Sequence, residues 1–123
     1  MTTGAENVLI GGLAGDALTT GSYNVALGFA ALTSEDAHGR NVAIGYKALY
    51  DLDAGADAYN VAIGFAAGEN ITTGIQNILI GGLAGDALTT GGQNIAIGMQ
   101  ALGAETGGSY NVAIGFRDYI RYI

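Results

Sequence analysis

The feature that most restricts this chain is a five-residue string, Asn-Val/Ile-x-Ile/Leu-Gly, which begins at Asn7, Asn24, Asn41, Asn60, Asn77, Asn94 and Asn111. Successive Asn residues lie 17, 17, 19, 17, 17 and 17 apart, and other columns keep the same step. Ala14, Ala31, Ala48, Ala67, Ala84 and Ala101 each follow their Asn by seven, and Gly4, Gly21, Gly74 and Gly91 precede theirs by three. A strict period over nearly the whole length makes each repeat one structural unit that buries its apolar side only against its neighbours. The two extra residues fall between Asn41 and Asn60, in the acidic stretch DLDAGAD at 51–57.

Inside each unit the two branched apolar residues are two positions apart. In an extended chain they share one face, and the residue between them, usually Ala, takes the other. The spacing therefore predicts a strand of about four residues per unit. It assigns to the core Val8, Ile10, Val25, Leu27, Val42, Ile44, Val61, Ile63, Ile78, Ile80, Ile95, Ile97, Val112 and Ile114. Leu18, Leu32, Leu49, Leu88 and Leu102 are further inward candidates, and the small middle residue is expected to face outward and permit close approach of other chains. The residue that closes each string, Gly11, Gly28, Gly45, Gly64, Gly81, Gly98 or Gly115, is expected at a corner with positive φ or close backbone approach. Asn suits the opposite corner, because it tolerates the left-handed conformation and can hydrogen-bond in a ladder between stacked coils. No apolar pattern of helical period is sustained, so helix is local at best. The expected fold is all-β: a parallel β-roll or β-solenoid of seven coils of about 17 residues, spanning 1–116. Residues 117–123 are read as a C-terminal capping or transition segment carrying Arg117, Tyr119, Ile120, Arg121, Tyr122 and Ile123.

So narrow a coil offers little burial against roughly 1–2 kcal/mol of backbone entropy per ordered residue. Packing against further copies, intertwined or side by side about a common axis, would offset that deficit. A homotrimer is one such arrangement. Because the pattern begins at TTGAENVLIG without a polar atypical repeat, end-to-end stacking on other copies or fibre segments is expected as well.

Composition narrows the partners. With Arg40, Lys47, Arg117 and Arg121 as the only cations and a formal charge of −7, nucleic acid and anionic membrane are not expected ligands. Gly and Asn interrupt every apolar run, so no segment reads as a bilayer span, and MTTGAEN does not read as a signal peptide. The chain has no Cys, which removes disulfides, thiolate metal sites and thiol nucleophiles.

The seven NVAIG-type strings, followed in three units by Ala-Leu seven and eight after Asn and in several by Thr-Thr-Gly, resemble the head repeats of trimeric autotransporter adhesins. They are also similar to the repeats of bacteriophage tail fibres. The resemblance covers 2–116. It implies a left-handed parallel β-roll, three chains around one axis with Val and Ile inside, and a module of an attachment fibre without catalytic role. The adhesin heads repeat at about fourteen residues, so the longer unit is closer to the phage version. The resulting expectation is a structural and adhesive segment of an extracellular fibre, a tail-fibre shaft or tip domain of a virion that meets a bacterial receptor or glycan. A bacterial surface adhesin head and a small self-assembling filament subunit are the alternatives.

Candidate sites are few. GGLAGDALTTG, at 11–21 and 81–91, resembles a calcium-binding nonapeptide, but such turns work in tandem and these copies are 70 residues apart. Asp16 and Asp86 are therefore expected to face water. Asp51, Asp53 and Asp57 are close in sequence, yet Gly55 and Ala62 stand where a helix-loop-helix calcium loop needs acids. They and His38, the only histidine, are weak metal candidates; no cofactor is expected. Thr pairs at 19–20, 72–73 and 89–90 suggest an ice-ordering face, but adjacent residues point to opposite sides. Phe29, Tyr46, Phe65 and Phe116 form one aromatic column and Tyr23, Tyr59 and Tyr110 another, suited to packing or to a glycan.

Overall fold

The computed structural model describes residues 3–117. Seven three-residue strands carry the repeat: β1 (Val8–Ile10), β2 (Val25–Leu27), β3 (Val42–Ile44), β4 (Val61–Ile63), β5 (Ile78–Ile80), β6 (Ile95–Ile97) and β7 (Val112–Ile114). All lie in one parallel sheet in sequence order, and the coils between them wind a β-solenoid of about six turns. Register follows the repeat, with Val8 against Val25, Val25 against Val42, and so on. Val42 pairs with Val61, so the two extra residues are absorbed in the turns without a slip. Hydrogen bonding between coils continues beyond the strands: the Gly15, Leu32, Leu49, Gly68 and Gly85 amides each donate to the carbonyl of the Ala that precedes the aligned residue one coil on. The proposed cap at 117–123 lies, apart from Arg117, outside the described residues.

The faces are the reverse of those expected. None of the fourteen branched residues assigned to the core is buried. Val8, Ile10, Leu27, Ile78, Ile80, Ile97, Val112 and Ile114 are exposed, and Val25, Val42, Ile44, Val61, Ile63 and Ile95 are half-buried. The middle residue of the strand points inward instead: Ala26, Ala43, Ala62, Leu79, Ala96 and Ala113 are fully buried, and Leu9 packs on the same cluster. The cause is dimensional. The interior is already filled from the turns by Leu32, Leu49 and Leu102, eight after Asn, and by Leu18, Leu52, Ile71 and Leu88, eleven after. At interior packing density only a small residue fits opposite a Leu at the eighth position. At Gly15 and Gly85, two of the three coils with Gly at the eighth position, the strand supplies Leu9 or Leu79 instead, and at the third, Gly68, the space is taken by Leu79, Ile71 and Leu49.

Both corners depend on the backbone. The closing residues Gly11, Gly28, Gly45, Gly64, Gly81, Gly98 and Gly115 hold φ between 121° and 140°. Positive φ and close backbone approach, expected as alternatives at these corners, occur together. A Cβ on Gly11, Gly28, Gly45, Gly64, Gly81 or Gly98 would lie 2.4–2.7 Å from the carbonyl oxygen of the aligned Gly one coil on. Stacking the corners this tightly is what keeps the coils in register, so Gly11 through Gly115 serve the backbone alone and contribute no side chain to any site. At the other corner the structure departs from expectation: the left-handed residue is the one before Asn, namely Glu6, Tyr23, Arg40, Tyr59, Gln76, Gln93 and Tyr110, rather than Asn itself. Asn forms the expected ladder. Each Asn amide from Asn24 to Asn111 donates to Oδ1 of the Asn one coil earlier, at 2.8–3.1 Å. Asn24, Asn41, Asn60, Asn77 and Asn94 are completely buried, and their side chains satisfy backbone groups that would otherwise be orphaned inside the coil.

Candidate functional site

The inversion of faces creates the most extended candidate surface. Two apolar columns, one and three residues after each Asn, run side by side along the outer sheet from Val8 and Ile10 to Val112 and Ile114. Two rows of large side chains flank them. Five after Asn stand Phe29, Tyr46, Phe65, Met99 and Phe116; immediately before Asn stand Tyr23, Tyr59 and Tyr110; all are exposed. Contiguous apolar exposure of this kind marks a surface made for contact. Of the acidic residues described, all except Glu6 lie nine to sixteen positions after Asn, in the turns, so the apolar face carries little charge.

The aromatic rows are organised by stacking. Phe29 and Tyr46 lie 5.7 Å apart at 15°, and Tyr46 and Phe65 lie 5.3 Å apart at 7°. The three rings thus form one near-parallel row, each still exposed to solvent. In the other row the Arg40 guanidinium sits 4.9 Å from the Tyr23 ring centroid and 5.8 Å from that of Tyr59, and pairs with Asp57. Gln93 donates to Gln76 at 3.0 Å further along.

The weak metal candidates are not brought together. Asp57 accepts from the Gly39 amide at 3.0 Å and pairs with Arg40, while Asp53 is exposed at a coil turn and Asp51 is half-buried. His38 finds different neighbours. One ligand atom from each of Glu35, Asp36 and His38 lies within 4.8 Å of the others, the one such trio among the described residues. The sequence held a signal for Glu35: it stands eleven after Asn, in the column of Leu18, Leu52, Ile71 and Leu88. A carboxylate in a Leu column needs a local reason.

The nonapeptide motif dissolves into the coil. Asp16 is exposed as expected. Asp86 is half-buried and adjoins Glu69; burial, and secondarily the Glu69 charge, holds its carboxyl above the usual carboxylate range. The Thr19, Thr72 and Thr89 hydroxyls donate to carbonyls of the next coil, at 3.1, 3.3 and 3.0 Å. Those hydroxyls tie coils together rather than present an ordered row to water.

No protein-family model, curated protein or solved structure matches the chain. No helix among the described residues is long and apolar enough to cross a membrane.

Proposed function

We propose that the chain is a non-enzymatic structural and adhesive segment of an extracellular homotrimeric fibre, a shaft or tip domain of a phage tail fibre serving attachment to a bacterial host. The observation that carries this reading is the outward Val/Ile/Leu face, continuous over seven coils and rimmed by stacked aromatics. A solenoid whose larger apolar strand residues point away from its own core is half of a packing unit, and a second copy is the occupant best matched to it. The partner face must be equally long, flat and weakly charged, and must repeat at the same step. Three copies closing around an axis would bury these columns together while the acidic turns stay on the outside, where chains of net charge −7 repel least. The repeat's own polar groups, the Asn amides and Thr hydroxyls, are largely engaged in coil-to-coil bonding, which suits a mechanical role. A stiff trimeric rod presents each loop in three copies, so weak receptor contacts gain by effective concentration.

Mass and binding measurements test this. Light scattering is expected to give three times the 12.3 kDa chain mass, and Ile63→Asp with Ile97→Asp to give a folded monomer with unchanged β-signal. A monomeric wild-type chain at micromolar concentration overturns the trimer, and a continuous ladder of masses favours a filament subunit. Labelled trimer is expected to bind intact bacteria of a susceptible host; a trimer that binds no cells is left with a spacer role.

A further inference from the structure

From the turn of the second coil we infer a further site: Glu35, Asp36 and His38 form a binding site for a divalent transition-metal ion of the zinc type. It belongs to the single chain and does not depend on assembly.

Glu35 is wholly buried, with one oxygen bonded inside its own turn and the other bonded to the following coil. Oε1 accepts from the His38 amide at 3.0 Å, and Oε2 accepts from the Ala54 amide, in the stretch lengthened by the two extra residues, at 3.4 Å. The imidazole adds what a structural carboxylate alone does not need. His38 Nδ1 is enclosed and has no hydrogen-bond partner, although Glu35 Oε1 lies only 3.3 Å away. Buried nitrogen atoms are seldom left without a partner. Two ligand atoms at zinc bond lengths of about 2.0–2.1 Å, placed at tetrahedral angles, are about 3.3 Å apart. The observed Nδ1–Oε1 separation therefore equals that of two adjacent ligands of one ion. An oxygen of the exposed Asp36 lies within 4.8 Å of both other ligand atoms, from where a side-chain rotation brings it onto the ion, and imidazole with carboxylates is a common zinc donor set.

The turn is also held in place without the ion. The Asp36 carbonyl accepts from the Thr19 and Thr20 amides and from the Thr19 hydroxyl, and the His38 carbonyl accepts from the Asn24 side chain. Preorganisation of this kind lowers the ordering cost of binding. The sixth coil provides an internal comparison. Glu105 occupies the same column and accepts from the Gly108 amide at 2.8 Å, but Thr106 and Gly108 stand where the second coil has Asp36 and His38. Capping the turn thus needs only the Glu, and the two additional donors are what coordination requires. Three protein ligands leave a fourth position for water.

The test is titration of the full-length chain with Zn2+ against a chromophoric chelator, with thermal melts alongside. One ion per chain is expected, with a rise in Tm, and His38→Gln and Asp36→Asn are each expected to weaken binding at least tenfold and abolish that rise. Asp51→Asn with Asp53→Asn is expected to bind as wild type does. Co2+ in place of Zn2+ is expected to give the visible absorption of a tetrahedral site, lost in His38→Gln. Absence of saturable binding overturns the assignment, and so does binding that persists undiminished in both His38→Gln and Asp36→Asn.

Discussion

Leu79 occupies the room that Gly85 leaves open: a Cβ on Gly85 would lie 2.8 Å from Leu79 Cδ2. The same leucine reaches the coil before, where a Cβ on Gly68 would lie 2.8 Å from its Cδ1. Core volume is thus traded between two columns, the strand's middle residue and the residue six further on. Leu79→Ala opens space beside both glycines and is expected to cost about 2–5 kcal/mol. Gly85→Leu alone overpacks, at about 1–3 kcal/mol. The double variant recreates the Ala/Leu arrangement of Ala26 with Leu32 and is expected to be more stable than the sum of the single costs predicts, by about 0.5–3 kcal/mol. Urea denaturation of the four proteins measures this coupling. Strict additivity would show that the two positions do not share a cavity.

This trade also explains which parts of the fold were legible in the sequence. Period, strand position, register and the Gly corner follow from the spacing of Asn7, Asn24 and their successors, because stacked coils must repeat what they stack. The alternation in NVAIG separates two faces but does not say which is inside. Hydrophobicity favours Val and Ile, and it misleads because the coil interior was already claimed by Leu residues eight and eleven positions after Asn. Counting Leu32 and Leu49 as mandatory core would have left room only for Ala26 and Ala43. The left-handed residue before Asn had a visible trace as well: Glu6, Tyr23, Arg40 and Gln76 are never β-branched, as that conformation demands. Of the trio at Glu35 only His38 was singled out from the sequence; the acid in a Leu column was a visible signal, but a periodic reading weights what recurs and passed over it.

Asn77 shows what the ladder contributes. Its Oδ1 accepts from the Asn94 amide and from Asn94 Nδ2, both at 3.0 Å, and its own Nδ2 donates to Asn60 Oδ1 at 3.2 Å and the Gly91 carbonyl at 3.0 Å. Each buried partner left unsatisfied costs about 1–3 kcal/mol. Asn77→Ala is expected to destabilise by about 3 kcal/mol or more. Asn77→Asp is expected to be no milder, since it sets acceptors against Asn60 Oδ1 and the Gly91 carbonyl. Asn7, only half-buried, is expected to be less sensitive to Ala. Thermal melts of the three variants rank them; an Asn77→Ala protein that melts with wild type would remove the ladder from the account of stability.

The acid side of the solenoid gives a pH dependence with a definite sign. The Asp86 carboxyl is raised in the folded chain, by burial first and by Glu69 second. A raised value means that the folded chain holds this proton more tightly than the unfolded chain does. Its contribution therefore favours folding below the ordinary carboxylate value and is lost as pH rises through the raised one. Asp86→Asn removes the buried charge and keeps an oxygen to accept from the Asp86 and Ala87 amides. It is expected to raise Tm at neutral pH, with the difference closing toward about pH 3, where both carboxylic forms are neutral. Glu69→Gln is expected to act in the same direction and less strongly. A neutral-pH Tm for Asp86→Asn below that of wild type would reverse the assignment.

Adjacent glycines at the corner after β5 separate necessity from habit. Gly81 has a φ of +134°, and a Cβ there would sit 2.6 Å from both the carbonyl carbon and oxygen of Gly98. Neither the conformation nor the contact is open to an L side chain, and the obstruction is backbone that cannot move without breaking the coil ladder. Gly81→Ala is expected to cost at least about 3 kcal/mol, combining strain with overpacking. At Gly82 a Cβ meets nothing within 4 Å, and the aligned positions hold Phe29, Tyr46, Phe65 and Met99. Gly82→Ala is expected to be neutral or to stabilise by up to about 1 kcal/mol, because it restricts the unfolded chain. Gly82→Phe extends the stacked row beyond Phe65 by one ring and is expected to strengthen assembly through the outer face. Melting temperatures for the two alanine variants and light scattering for Gly82→Phe check the set. Equal damage from Gly81→Ala and Gly82→Ala would mean that corner geometry, and not the specific approach to Gly98, is the common requirement.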